Sequence, residues 1–152
     1  MIRLLLLLAA FFVASDASAD NAGLYKRCAS CHLPTGAGIP GIYPGLTDRL
    51  GPLAATPAGR DYLVMVVHAG LTGPINVKGT TYSGVMPPQG SGLSDEQLAG
   101  VLNFILDNFN KKSLPPTWTK FSVAEVGAIR EKHAKLRARD VIALRPKSLG
   151  GR

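Results

Sequence analysis

Cysteine is scarce in this 152-residue chain: there are two, Cys28 and Cys31. A bridge between residues so close would shut a very small loop and stabilise little, which excludes a disulfide-stapled scaffold. Histidine is nearly as scarce, with His32, His68 and His133. A zinc site needs four ligands, and neither His68 nor His133 stands at a short ligand spacing from the cysteines. Asp and Glu number ten against seventeen Lys and Arg, and no two carboxylates are spaced convincingly for acid–base chemistry. The chain has no glycine-rich nucleotide loop and no nucleophile motif. The apolar stretch Leu4–Val13 has ten residues, about half of what a ~30 Å hydrocarbon core requires.

That short run sits between Arg3 and the small-residue triplet Ala17-Ser18-Ala19. A positive start, a ten-residue apolar stretch and an A-x-A site form a secretory signal peptide, too short for a membrane anchor. The sequence therefore predicts a signal peptide over residues 1–19, cleaved after Ala19, and a periplasmic mature protein. The rest is enough for one domain of ordinary size. Charge divides it. Residues 20–110 carry five Lys/Arg and six Asp/Glu, whereas residues 111–152 carry eleven and three. The expected organisation is a domain over 20–110, a proline strap and basic C-terminal helix over 111–145, and a disordered tail over 146–152.

Both cysteines fall within "CASCH", residues 28–32. Three readings compete: a haem attachment site, a thioredoxin-like redox pair, and half of a zinc site. The redox pair needs a βαβ setting, but the flanks read as helix before and Gly/Pro-rich loop after. The haem reading uses every residue of the motif. Residues three apart on a helix point the same way, so Cys28 and Cys31 reach two vinyl groups on one porphyrin edge, and His32 follows as an iron ligand. One covalent c-type haem with its iron is the expected cofactor.

A second axial ligand suits an iron that only moves electrons. Met1 leaves with the signal peptide, and Met65 in "DYLVMVVHAG" reads as core filling. Met86, in "TTYSGVMPPQG", precedes Pro87 and Pro88, which stiffen the loop. It is the expected ligand, with His68 and His133 read instead as capping or surface residues. Further on, Ser94 and Gln97 form a capping box opening a helix with the apolar stripe Leu98, Leu102, Ile105 and Phe109. A helix is expected over about 58–69. Another opens at Ser122 and Glu125 and runs through "VAEVGAIREKHAKLRARD", its first half docked and its basic half projecting.

The segments "LYKRCASCHLPTGAGIPGIYPGL", "VVHAGLTGPINVKGTTYSGVMPPQG" and "LSDEQLAGVLNFILDNF", in this order, resemble the class I monohaem cytochromes c. The resemblance covers about residues 21–130. Within that class the chain is similar to small periplasmic cytochromes that serve, or are fused to, dehydrogenases and copper nitrite reductases, where "FSVAEVGAIR" recurs. The resemblance implies an all-α fold wrapped around one haem. Met86, 54 residues after His32, stands at a separation like the family's. The resemblance further implies that the Pro44 carbonyl orients His32 and that Leu46 packs on the ring. An aromatic four residues before the first cysteine is common in the class; here that place holds Leu24, with Tyr25 one residue nearer.

The expected function is single-electron transfer with a periplasmic dehydrogenase, reductase or oxidase, not catalysis. The alternative is a haem enzyme or gas sensor with a dissociable Met86. Nucleic acid is not an expected partner of an exported haem protein. Two docking features are expected. One is an apolar rim around Ile39 to Ile42 and Val85 to Gln89. The other is a basic tail, with Lys132, Lys135, Arg137 and Arg139 steering an acidic partner or an anionic membrane surface.

Overall fold

The computed structural model describes residues 17–147. Most of the expected signal peptide, residues 1–16, and residues 148–152 of the expected tail lie outside the described residues. Among the described residues no helix is long and apolar enough to cross a membrane.

The architecture is mostly helical, as a class I cytochrome c fold requires. Helix α1 (Ala17–His32) carries CASCH at its C-terminal end, and Leu33, with φ +64°, turns the chain out of it. Helix α2 (Gly51–Ala54) and helix α3 (Pro57–His68) follow. Thr56 starts α3 by accepting the Gly59 amide at 3.2 Å, and Pro57 supplies a preset first turn. Helix α4 (Asp95–Phe109) opens on the reciprocal bonds Gln97 N to Ser94 Oγ, 3.1 Å, and Ser94 N to Gln97 Oε1, 3.0 Å. Such a cap stabilises a helix by about 1 kcal/mol.

The crossing of α1 and α4 is built from aromatics. Tyr25 is buried, its ring centroid 5.5 Å from Phe104 and 5.0 Å from Phe109, which meet edge-on at 6.0 Å. Each such pair contributes roughly 0.5–1.5 kcal/mol beyond its buried area. The aromatic at this crossing is thus Tyr25 and not Leu24. Its hydroxyl donates to Leu33 O at 2.8 Å, and burial, with Cys28 adding to it, pushes its pKa up to about 12. Gly36 follows the helix so closely that a Cβ there would lie 3.0 Å from the Phe109 ring.

Four short strands, which helical periodicity does not foretell, occupy the span between α3 and α4. β1 (Leu71–Thr72) pairs antiparallel with β4 (Val85–Met86), placing Leu71 opposite Met86. Nested between them, β2 (Ile75–Val77) and β3 (Thr80–Tyr82) form a hairpin. Its turn, Lys78-Gly79, has positive φ at both residues, as a two-residue hairpin loop favours.

Helix α5 (Val123–Lys132) starts at Ser122, which accepts the Glu125 amide at 3.1 Å. The expected reciprocal half of this cap is absent because Glu125 turns to Arg60 on α3, with Nη2 to Oε2 at 2.6 Å. Arg60 also donates to Ala54 O and Thr119 O and covers the Phe121 ring at 3.8 Å, so one side chain ties α2, α3, the strap and α5 together. Trp118, in the proline strap, packs at the core edge.

The basic helix ends sooner than its pattern suggests. His133 caps α5, the chain turns, and a short helix α6 (Ala138–Val141) runs into a 3₁₀ turn over Ile142–Leu144. The cause is hydrophobic. Val126 and Ile129 exhaust the α5 stripe, and the next apolar residues, Leu136, Val141, Ile142 and Leu144, reach the core only if the chain doubles back. Val141 is fully buried. The segment expected to project instead packs over β1 and α3.

Candidate functional site

A cleft with about 1210 Å³ of empty space, its open mouth included, opens beside the end of α1. Its walls come from α1, the 42–50 loop, α3, the strand segment and α4. They are mainly aliphatic, with Leu46, Leu50, Leu63, Val67, Leu71, Leu102, Ile105 and Leu106 among them. Cys28, Cys31, His32, Pro44, Leu46 and Met86 all line this one cavity. Met65 does not: it lies on α3, 1% exposed in the core. His68 and His133 are not wall residues either, and His133 Nε2 faces Asp61 Oδ2 at 3.0 Å.

Each donor is placed by its element. The α-helical turn brings Cys28 and Cys31 to the same wall, with no disulfide between them. Burial pushes the Cys28 pKa up, with Arg27 opposing and Cys31 adding. A reactive redox cysteine has its pKa lowered, so the environment argues against the thioredoxin-like reading. Among the described residues no cluster of three or more His, Cys, Asp or Glu side chains is arranged to hold a metal ion, which leaves the zinc reading without a ligand set.

His32 is buried, with Nδ1 2.8 Å from Pro44 O. A carbonyl only accepts, so Nδ1 carries the proton and donates it, and Nε2 keeps a lone pair. Burial is the main influence lowering the His32 pKa; the Pro44 bond works against it and Arg49 with it. The neutral ring is thus the favoured form, the one that binds a metal. The Pro44 carbonyl is itself positioned by a tight loop. Ile39 pairs with Tyr43, and Gly38, with φ +68°, lies so close to Tyr43–Gly45 that a Cβ would overlap their backbone.

Met86 is half-buried and held by two neighbours in the chain. β4 pairs with β1, and the amides of Gln89 and Gly90 donate to Val67 O at 3.0 and 2.8 Å. β1 before the proline pair and the α3 C-terminus after it therefore clasp the methionine loop on both sides. At the mouth, Ile42 and Val85 are 56% and 63% exposed, a small apolar rim on a surface where large apolar groups are otherwise mostly covered.

The polar part of the wall was not legible in the sequence. Arg49 is a wall residue whose Nε donates to Gly45 O. Tyr62 and Tyr82, also wall residues, are buried. Burial works against the Arg49 charge, the two phenols support it, and Arg145 opposes it. Asn110, fully buried, fixes this loop: Oδ1 accepts from Arg49 N and Leu50 N at 3.0 and 2.8 Å, and Nδ2 donates to Leu46 O and Ile105 O. No periodic signal marks Arg49. Tyr62 lies in an apolar helical run and reads as core, and Asn110 reads as an ordinary helix end.

The arrangement fits a c-type haem. An apolar cleft presents two cysteine sulfurs at one edge, an imidazole with a free Nε2, a thioether from another segment, and the half-buried Arg49 guanidinium where an anionic group would be compensated.

Comparison with known proteins agrees. Residues 17–105 match the family described as "Cytochrome C oxidase, cbb3-type, subunit III". Two cytochrome c-552 sequences from Thermus thermophilus are each 40% identical to this chain. One aligns over 131 residues, 86% of either chain, and the other over 129 residues, 85% of this chain and 96% of that one. The "Alcohol dehydrogenase (quinone), cytochrome c subunit" of Gluconacetobacter polyoxogenes is 31% identical over 113 residues, 74% of this chain but 23% of that longer subunit. The chain belongs to the cbb3-type subunit III family of cytochromes c, as a monohaem electron carrier with one covalent c-type haem at Cys28 and Cys31.

Proposed function

We propose that this carrier is exported to the periplasm after cleavage at Ala19, and that His32 and Met86 are the axial ligands of its haem. When bound, the haem supplies a one-electron couple between ferric and ferrous iron. The chain's own residues set the conditions. His32 binds through Nε2, oriented by Pro44. Met86 supplies a soft sulfur that favours the ferrous state and raises the potential. Leu46 and its aliphatic neighbours keep water from the ring, and Ile42 and Val85 form the edge through which a partner is met. The observation that carries this reading is that His32 and Met86, from α1 and β4, line one apolar cavity with both cysteines, whereas Met65, His68 and His133 do not.

The partners are redox proteins met briefly: a periplasmic dehydrogenase, reductase or oxidase. The named dehydrogenase subunit among the relatives favours the first. An uncharged rim suits a small, short-lived contact. Lys135, Arg137 and Arg139 are exposed to an acidic partner or an anionic membrane surface, Arg139 beside Asp140 at 3.7 Å, while Lys132 is engaged with Asp61 at 2.7 Å.

The test is spectroscopic. Haem must survive acid-acetone extraction from the denatured wild type and be lost from the Cys28→Ser/Cys31→Ser variant. Met86→Ala is expected to remove the far-red sulfur-to-iron band of the ferric protein and to open the reduced protein to carbon monoxide. If Met65→Leu does this and Met86→Ala does not, the ligand assignment is wrong. Carbon monoxide binding to the reduced wild type would favour a gas-binding role instead.

A further inference from the structure

The segment that follows Met86 is short of anchors of its own. Pro87 and Pro88 have no amide hydrogen to donate, so after β4 the first backbone amide that can hold the chain is that of Gln89, which donates to Val67 O at 3.0 Å. A second anchor comes from α1. Arg27, directly before Cys28, donates from Nη1 to Gln89 O at 3.1 Å across 62 residues of sequence. Arg27 and Gln89 both line the cavity that holds the cysteines, His32 and Met86. Gln89 is thus gripped through its amide by α3 and through its carbonyl by α1. Arg27 is an exposed side chain, and exposed ion pairs contribute little because two long side chains must be ordered at once. Here the acceptor is a backbone carbonyl in a residue already tied to Val67, so only one side chain is ordered, and a guanidinium donor makes a stronger bond than a neutral one. The two prolines pass this hold on, because their fixed φ leaves few ways for Met86 to move while Gln89 stays in place.

We infer that Arg27 is a positioning residue for Met86: its bond to Gln89 closes the methionine segment onto the helix that carries the haem cysteines, and the strength of that closure sets how readily another ligand replaces the thioether. It acts through Gln89 and the proline pair. One helix then serves both sides of the site, supplying the cysteines and His32 directly and holding the methionine through the guanidinium. The inference rests on the His32 and Met86 reading given above.

The experiment is titration of the ferric, haem-loaded full chain with imidazole at about pH 8, where imidazole is mostly neutral and a lost surface charge does not of itself alter its binding. Loss of the far-red sulfur-to-iron band reports displacement of Met86. Arg27→Met removes the donor and keeps an apolar stem. It is expected to show the band without imidazole and to bind imidazole about fivefold more tightly, the fold-change that corresponds to one hydrogen bond between protein groups. Arg27→Lys, which keeps a donor and the charge, is expected to return most of the way to the wild-type affinity. Lys26→Met, at the exposed neighbouring position of α1, is expected to leave the affinity unchanged. If the band is missing in the wild type, the methionine-ligand reading fails. If the wild type has it, the role of Arg27 is refuted by equal imidazole affinity in the wild type and Arg27→Met, by equal tightening in Lys26→Met, or by no recovery in Arg27→Lys.

Discussion

Gly70→Ala tests how the methionine loop is held. Gly70 lies between α3 and β1 with φ +81°. A Cβ built there would stand 2.5 Å from Met86 O, 3.0 Å from Pro88 N and 3.1 Å from Pro87 C. These are backbone atoms, so relief cannot come from a side-chain rotation; the Met86–Pro88 segment itself must move. The left-handed conformation costs an alanine about 1–2 kcal/mol. Forcing a methyl into a filled contact adds about 1–3 kcal/mol. A combined cost of about 3 kcal/mol corresponds to roughly a hundredfold change in an equilibrium. The cheapest escape is for β4 to lift from β1, which takes Met86 with it. The expected result is loss of the far-red band, carbon monoxide binding by the reduced protein and a lowered melting temperature. Gly79→Ala supplies the control. Its φ is +84°, nearly the same, but nothing lies within 4 Å of its Cβ. It should cost about 1 kcal/mol of stability and leave the band intact. Equal spectra for the two variants would refute the claim that close approach at Gly70 sets the position of Met86.

Asn110→Ala removes a fully buried side chain that serves two amides and two carbonyls. It is expected to destabilise by about 3 kcal/mol in denaturant titration, because the groups left behind are buried; a loss under about 1 kcal/mol would mean that other groups fill the role. Asp61 has its pKa lowered from the usual 3.8: burial pushes it up, but the bonds and charges of His133 and Lys132 outweigh that. A depressed carboxyl stabilises the fold above the unfolded pKa, and this contribution disappears as pH falls through the folded value. Asp61→Asn is therefore expected to be less stable than wild type at neutral pH and to converge on it below about pH 4; a constant gap across that range would contradict the pairing. Gln at Lys135, Arg137 and Arg139 together is expected to slow association with an acidic partner and flatten its salt dependence. Unchanged rates and salt slopes would leave these charges as solvation.

The parts legible in the sequence are those that local chemistry dictates. CASCH works within one helical turn, and the caps at Ser94 and Ser122 act over three residues. Gly and Pro around Met86 report the stiffness of a short loop. The Pro44 and Leu46 positions came from family resemblance and not from any pattern in the residues. What stayed hidden depends on contacts between segments far apart. The two strand pairs are two or three residues long and leave no alternation to count. Arg49 and Asn110 meet across 61 residues, and nothing beside them in the chain signals it.

The C-terminal quarter shows the limit most clearly, because its charge and its apolar residues pull the reading in different directions. Counting Lys and Arg from 132 onward suggests a solvated helix that projects. Counting Leu136, Val141, Ile142 and Leu144 suggests a segment that must be covered. The structure satisfies both: the charged residues Lys135, Arg137 and Arg139 stay exposed on the turn and α6, while the apolar ones close over β1 and α3. Burying even one valine-sized side chain is worth about 1.5–3 kcal/mol, whereas an exposed charge gains or loses little by moving along the surface. The apolar count therefore wins wherever the core is within reach. A consequence follows for experiment. A chain ended at Lys132 would remove the buried Val141 along with the exposed charges, and so would change stability together with docking. Substitution of the exposed charges alone is what isolates steering.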